Sequence, residues 1–165
     1  QPVFQIFPAQ STGDIGEIDD NGFLRITDRK KELIVTSGGK NIAPQKLENT
    51  IKSIPMVSQA LVYGDKEKYL IALITLSESD AKRWARDRQI AYANMEALVE
   101  NRDLNAQIEK GLKEMNRDLA SYETVKKFKI LPKDFSLEAG EMTPSLKLKR
   151  KVINLKYKQE IQSLY

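Results

Sequence analysis

Two short apolar segments, Val57–Val62 and Tyr69–Leu76, flank the turn formers of Gly64–Lys68, and from Ser77 the apolar spacing changes from strand-like to helical. A chain that needs both periods in so few residues must pack helices against a small sheet. Leu104, Ile108, Leu112, Met115 and Leu119 advance by four, four, three and four, which predicts an amphipathic helix. Trp84, Ala85 and Ala91 predict another helix, and Met95–Glu100 a short one between the two. Val125–Leu131 returns to strand character and Pro132 ends it. Ile153, Tyr157, Ile161 and Leu164 put an apolar face on a basic terminal helix.

Upstream, Ile15–Ile18 and Phe23–Thr27 surround Asp19-Asp20-Asn21-Gly22, which predicts a β-hairpin. Leu33-Ile34-Val35 is a short buried-strand candidate, and Thr36–Asn41 is a glycine-centred loop. Ala43-Pro44 opens a helix with proline in its first turn, Leu47, Ile51 and Ile54 form its apolar face, and Pro55 is its expected stop. Residues 1–11 read as a leader. The order β, α, β, β, helices, β, α predicts an α+β fold with a small, mostly antiparallel sheet flanked by helices.

Composition narrows the chemistry. Among 165 residues there is no cysteine, which excludes a disulfide scaffold, a thiolate zinc site and a cysteine nucleophile. There is no histidine either, so a Ser-His-Asp triad cannot form within the chain. Glu17, Asp19, Asn21, Gly22 and Asp28 fall at calcium-loop positions, but their flanks alternate as strands, and no metal site is expected. Apolar runs stay far below the ~20 residues a membrane helix needs, and Gln1-Pro2-Val3-Phe4 has no signal-peptide character. A cytoplasmic protein is the expectation, with peripheral contact at a membrane surface left open. The net charge of +4 is concentrated in Glu141–Tyr165, where Lys147, Lys149, Arg150, Lys151, Lys156 and Lys158 face only Glu141 and Glu160. Nucleic acid, an anionic membrane or a phosphate-bearing small molecule could each attract such a tail.

Ser37-Gly38-Gly39-Lys40 is not a phosphate-binding P-loop, because the places for its first glycine and its Ser or Thr hold Ile34 and Asn41. A glycine pair between strand and helix still admits a close-approaching substrate. Lys147-Leu148-Lys149-Arg150-Lys151 follows Gly140-Glu141-Met142-Thr143-Pro144-Ser145. It reads either as a solvated basic helix face or as one lysine delivered from a loop to an anionic substrate.

Taken together, these segments resemble the C-terminal part of the adenylate-forming (AMP-dependent synthetase and ligase) superfamily, and within it the long-chain fatty-acid–CoA ligases. Thr12-Gly13-Asp14 and Gly22–Ile34 resemble the family's TGD motif and following linker. Ser37–Pro44 with Leu47-Glu48 resembles the glycine loop and first helix of its mobile domain, and Thr143–Arg150 resembles its catalytic-lysine motif. Leu119–Glu123, Lys126-Lys127-Phe128 and a helical insert at about 78–120 suggest the long-chain subgroup. Where much of the superfamily has glycine before the lysine, this chain has Leu146.

The resemblance implies a division of the chain. Residues 1–30 would be a leader and the last hairpin of a large N-terminal adenylation domain lying outside this sequence, and 31–165 the mobile C-terminal domain. It also implies roles. Asp14 and Arg29 would bind the nucleotide, Lys31 would be the hinge, Gly38 and Gly39 would flank the pantetheine arm of CoA, and Lys147 would be catalytic. The implied reaction turns fatty acid, ATP with Mg²⁺, and CoA into acyl-CoA through acyl-AMP, the domain alternating between two half-reactions. An ammonium at the α-phosphorus stabilises charge that grows only in the transition state. The chain on its own is expected to be inactive. A ligase for an aryl acid or a carrier-protein-linked product is an alternative, as is a non-enzymatic module binding nucleic acid or anionic lipid. Tyr157 is the only aromatic residue among the basic residues of 147–158, which gives little to stack bases on, so no nucleic-acid partner is expected.

Overall fold

The computed structural model describes residues 14–18, 22–29 and 32–165, with side chains described at 22–23 and from 32 onward. The chain divides into two compact units, Gln1–Leu33 and Ile34–Tyr165. In the first, β1 (Asp14–Ile18) pairs antiparallel with β2 (Leu24–Arg29). Ile18 lies opposite Leu24 beside the turn, and Asp14 opposite Arg29 at the far end.

The second unit is built around three strands in the order β5-β6-β7: Val57–Tyr63, Leu70–Leu76 and Val125–Leu131. Every residue of β6 is buried. Leu70, Ala72, Ile74 and Leu76 join one core, with Leu47 and Ile51 of α1 (Pro44–Ile51) and Leu104, Ile108 and Leu112 further along the chain. Ile71 and Leu73 join a second core, with Leu61, Leu131, Phe135, Met142, Ile153 and Ile161. A strand covered on both faces has no polar side to show, so β6 reads as a continuous apolar run rather than an alternation.

β5 and β6 are antiparallel, but β6 and β7 run parallel. A parallel pair requires a long crossover. Here the crossover holds α2 (Glu78–Asp87), α3 (Met95–Val99) and α4 (Arg102–Asn116). The central sheet is therefore mixed, while the shorter ladders among the described residues are antiparallel. Side-chain oxygens of Ser77, Asn94 and Asn101 cap the three helices by accepting backbone N–H groups of their first turns.

Several boundaries differ from the periodicity. Ala91 lies beyond α2, which ends at Asp87, with Gln89 at φ +54°. α4 stops at Asn116, whose amide nitrogen donates to the Val125 carbonyl (2.9 Å) and whose oxygen accepts from the Val125 N–H (3.0 Å); Leu119 packs on the core from outside the helix. α1 ends at Ile51, before Pro55. The terminal helix is two pieces, α5 (Arg150–Lys156) and α6 (Lys158–Gln162), broken at Tyr157. The strand expected at Leu33–Val35 forms as β3 (Ile34–Val35), and its unexpected antiparallel partner β4 (Asn41–Ile42) turns the glycine loop into a hairpin.

Candidate functional site

Thr36–Lys40 and Thr143–Lys147 are separate in sequence and share the same three closing hydrogen bonds. In the first, the Thr36 N–H donates to the Lys40 carbonyl (3.0 Å), the Gly39 N–H to the Thr36 carbonyl (2.9 Å), and the Lys40 N–H to the Thr36 hydroxyl (3.2 Å). In the second, the Thr143 N–H donates to the Lys147 carbonyl (2.8 Å), the Leu146 N–H to the Thr143 carbonyl (2.8 Å), and the Lys147 N–H to the Thr143 hydroxyl (3.1 Å). Each is a three-residue hairpin loop closed by a residue in the left-handed region, Gly39 at φ +74° and Leu146 at φ +62°. Each delivers an exposed lysine at its exit.

The two loops are fastened differently. The Ser37 N–H donates to the Glu67 carbonyl and the Lys66 N–H to the Val35 carbonyl, tying the glycine hairpin to the β5–β6 turn. The Lys147 hairpin rests on two buried carboxylates. Glu141, 1% exposed, begins its incoming arm and accepts from Lys156 Nζ (2.7 Å), the Tyr157 hydroxyl (2.9 Å) and the Ser136 N–H (3.1 Å). Burial, then the bond to Glu141, raises the Tyr157 phenol above its ordinary pKa. On the outgoing arm Arg150 makes a bidentate pair with Glu48 of α1 (2.7 and 2.5 Å), and Glu48 also accepts from the Val62 N–H (2.7 Å). Glu48 is 5% exposed. One carboxylate thus joins the helix behind the glycine hairpin to the helix behind the lysine hairpin. The sequence offered Glu48 and Arg150 only as parts of two separate motifs; a buried acid on an amphipathic helix was the one signal available.

These contacts also settle part of the tail's charge. Arg150 and Lys156 are committed to buried carboxylates. The basic segment is therefore not one solvated face. Among the described residues no carboxylate pairs with Lys147, which stands exposed on a fixed backbone.

Gly38 and Gly39 are exposed, and a Cβ added at Gly39 would meet nothing within 4 Å, so it is the backbone angle, not crowding, that favours glycine there. Asp14 and Arg29, from two motif blocks, are brought to opposite register positions in β1 and β2. Lys31 lies outside the described residues. Among the described residues no group of three or more Asp or Glu is assembled that could hold a metal ion, and no helix is long and apolar enough to cross a membrane.

Residues 31–165 match the model of the AMP-binding enzyme C-terminal domain. The chain belongs to that family. This AMP-binding C-terminal domain is 43% identical over 155 residues to the long-chain-fatty-acid–CoA ligase FadD15 of Mycobacterium tuberculosis, covering 93% of this chain and 26% of the relative. It is 35% identical over 172 residues to the human long-chain-fatty-acid–CoA ligase ACSBG1, covering 24% of it. The chain thus spans about a quarter of the length of the curated relatives it matches. Among solved structures, the adenylation domain of a carboxylate reductase from Mycobacterium chelonae superposes with a TM-score of 0.74 at 26% identity, covering 93% of this chain and 22% of that one. The fatty acyl CoA synthetase of Mycobacterium tuberculosis does so with a TM-score of 0.54 at 25% identity, covering 88% of this chain and 24% of that one. The α+β fold read from the sequence is the fold of these adenylate-forming enzymes.

Proposed function

We propose that this domain is the mobile C-terminal part of a long-chain fatty-acid–CoA ligase, and that Lys147 is its catalytic residue in adenylation. One observation carries the reading: Lys147 leaves a hydrogen-bonded hairpin exposed, while Arg150 and Lys156 beside it are held by buried carboxylates. A cation on a preorganised backbone, free of any counter-charge among the described residues, suits a substrate anion held by another body. The identity to FadD15 supports fatty acid as the carboxylate.

In the first half-reaction the fatty-acid carboxylate attacks the α-phosphorus of ATP and pyrophosphate leaves. The Lys147 ammonium meets the negative charge that accumulates on the α-phosphate oxygens, an interaction stronger in the transition state than in the ground state. Magnesium enters with ATP as part of the substrate. In the second, the CoA thiol attacks the acyl-adenylate carbonyl and AMP leaves. The Gly38-Gly39 hairpin, with no side chain at either position, lines the pantetheine path. Asp14 and Arg29 would hold the nucleotide, and Lys31 would be the pivot about which the domain exchanges its two hairpins. Both nucleophiles belong to substrates, so a chain without cysteine or histidine is no obstacle. This division places residues 1–30 with the adenylation body and 31–165 with the mobile domain. The protein would work in the cytoplasm, with peripheral contact at a membrane through its lipid substrate.

The test is Lys147→Ala in the complete ligase. ATP–pyrophosphate exchange should fall about 10²–10³-fold, the cost of one preorganised donor. CoA acylation from supplied acyl-adenylate should persist, and equal loss of both half-reactions would refute the assignment. Acyl-CoA formation by this chain alone would refute the division of labour between the two bodies.

A further inference from the structure

The two lysine-bearing hairpins differ at one telling position. Their closing residue must adopt positive φ, and the glycine hairpin meets that demand with Gly39. The lysine hairpin meets it with Leu146, a γ-branched residue at φ +62°. A left-handed leucine is strained, and Leu146 is also 72% exposed, so its side chain gains no compensating burial within this unit. Further along the same stretch of chain, α5 shows Val152 and Leu155 to solvent, 40% and 77% exposed. A single exposed leucine is ordinary. A strained exposed leucine in a slot where the sister loop has glycine calls for a use of the side chain.

We propose that Leu146, with Val152 and Leu155, forms an apolar docking patch that seats against the adenylation body of the same ligase when Lys147 is delivered. The proposal rests on the reading of Lys147 given above. Adjacent Cα atoms are about 3.8 Å apart. A body that receives the Lys147 ammonium therefore comes within reach of the exposed Leu146 side chain too. The relatives carry about three quarters of their length outside the part matched here, which supplies such a body. Burying the patch would exclude water from the adenylyl transfer, where it would otherwise weaken the lysine's field. Lys149 and Lys151, which lie between Leu146 and Val152 in sequence, are exposed and call for an acidic rim on the receiving surface.

Two variants of the complete ligase test this. Leu146→Asn keeps a residue that tolerates the left-handed backbone and removes the apolar group. It should leave the melting temperature of this chain unchanged or raised, yet lower ATP–pyrophosphate exchange at least tenfold while acylation from supplied acyl-adenylate stays within twofold. Leu146→Met, apolar and equally strained, should retain exchange. Leu155→Asp, on the exposed helix face, should lower exchange with an unchanged circular dichroism spectrum. Exchange within twofold of the parent in both Leu146→Asn and Leu155→Asp, while Lys147→Ala still abolishes it, overturns the docking patch alone. Intact exchange in Lys147→Ala overturns the underlying reading instead. Anionic phospholipid vesicles provide the remaining arm: vesicle binding by this chain that Leu155→Asp removes, with exchange untouched, would reassign the patch to a membrane and overturn the proposal.

Discussion

At the scale of single residues, Glu48 is the side chain whose environment most exceeds its appearance in the sequence. It sits at 5% exposure, receives both arms of the Arg150 guanidinium and accepts the Val62 N–H. An exposed ion pair is worth little, but removing one partner of a buried pair is costly, since a charge is left in a poorly solvated place. Glu48→Ala should therefore lower unfolding free energy by about 3–5 kcal/mol in a urea titration. Glu48→Gln keeps an acceptor for Val62 and should cost less, about 1–3 kcal/mol. Equal and small losses in the two variants would show that the pair is screened rather than structural.

At the scale of elements, α4 and the turn that follows α1 approach closely at a glycine inside a helix. A Cβ on Gly111 would fall 2.7 Å from Ile54 Cγ2, with two further Ile54 carbons within 3.1 Å. Propensity favours alanine over glycine in a helix by about 0.8–1 kcal/mol. Overpacking a filled core costs about 1–3 kcal/mol, and Ile54 is a buried, β-branched side chain with little room to turn. The packing term should win, so Gly111→Ala is expected to destabilise this chain by about 1 kcal/mol. A rise in melting temperature would mean that Ile54 moves aside. The same elements show where periodicity was a fair guide. The α4 stripe through Leu104, Ile108 and Leu112 is buried as its spacing requires, because a packed helix face must repeat every three to four residues. Its end was not legible, since Asn116 stops the helix by bonding β7 nine residues on, a partner that local pattern does not name.

At the scale of the whole molecule, three tyrosines respond together to alkali. Burial first, and then neighbouring carboxylates, raises the phenols of Tyr63, Tyr157 and Tyr165 above their ordinary value of 10.0. A raised folded pKa means that the folded state keeps protons the unfolded chain has lost. Stability from these groups is thus complete below pH 10 and declines as pH rises beyond it. Melting temperature should fall steeply above pH 10, and less steeply in Tyr157→Phe, although that variant starts lower for want of its bond to Glu141. An unchanged slope would remove Tyr157 from the account.

Elements and family were legible along the chain, because strand and helix periods, caps and short motifs are local properties. The three strands of the central sheet, the helical crossover and the Thr143–Arg150 motif could all be read that way. Local pattern could not say that β6 and β7 run parallel, that Glu48 reaches Arg150 across 102 positions, or that Thr36–Lys40 and Thr143–Lys147 share one geometry. Those depend on which surfaces meet once both faces of β6 are covered, and on backbone angles such as the +62° of Leu146 that no composition reveals. The amino-acid order determined which groups were available; packing around one buried strand decided which were consumed inside and which were left exposed.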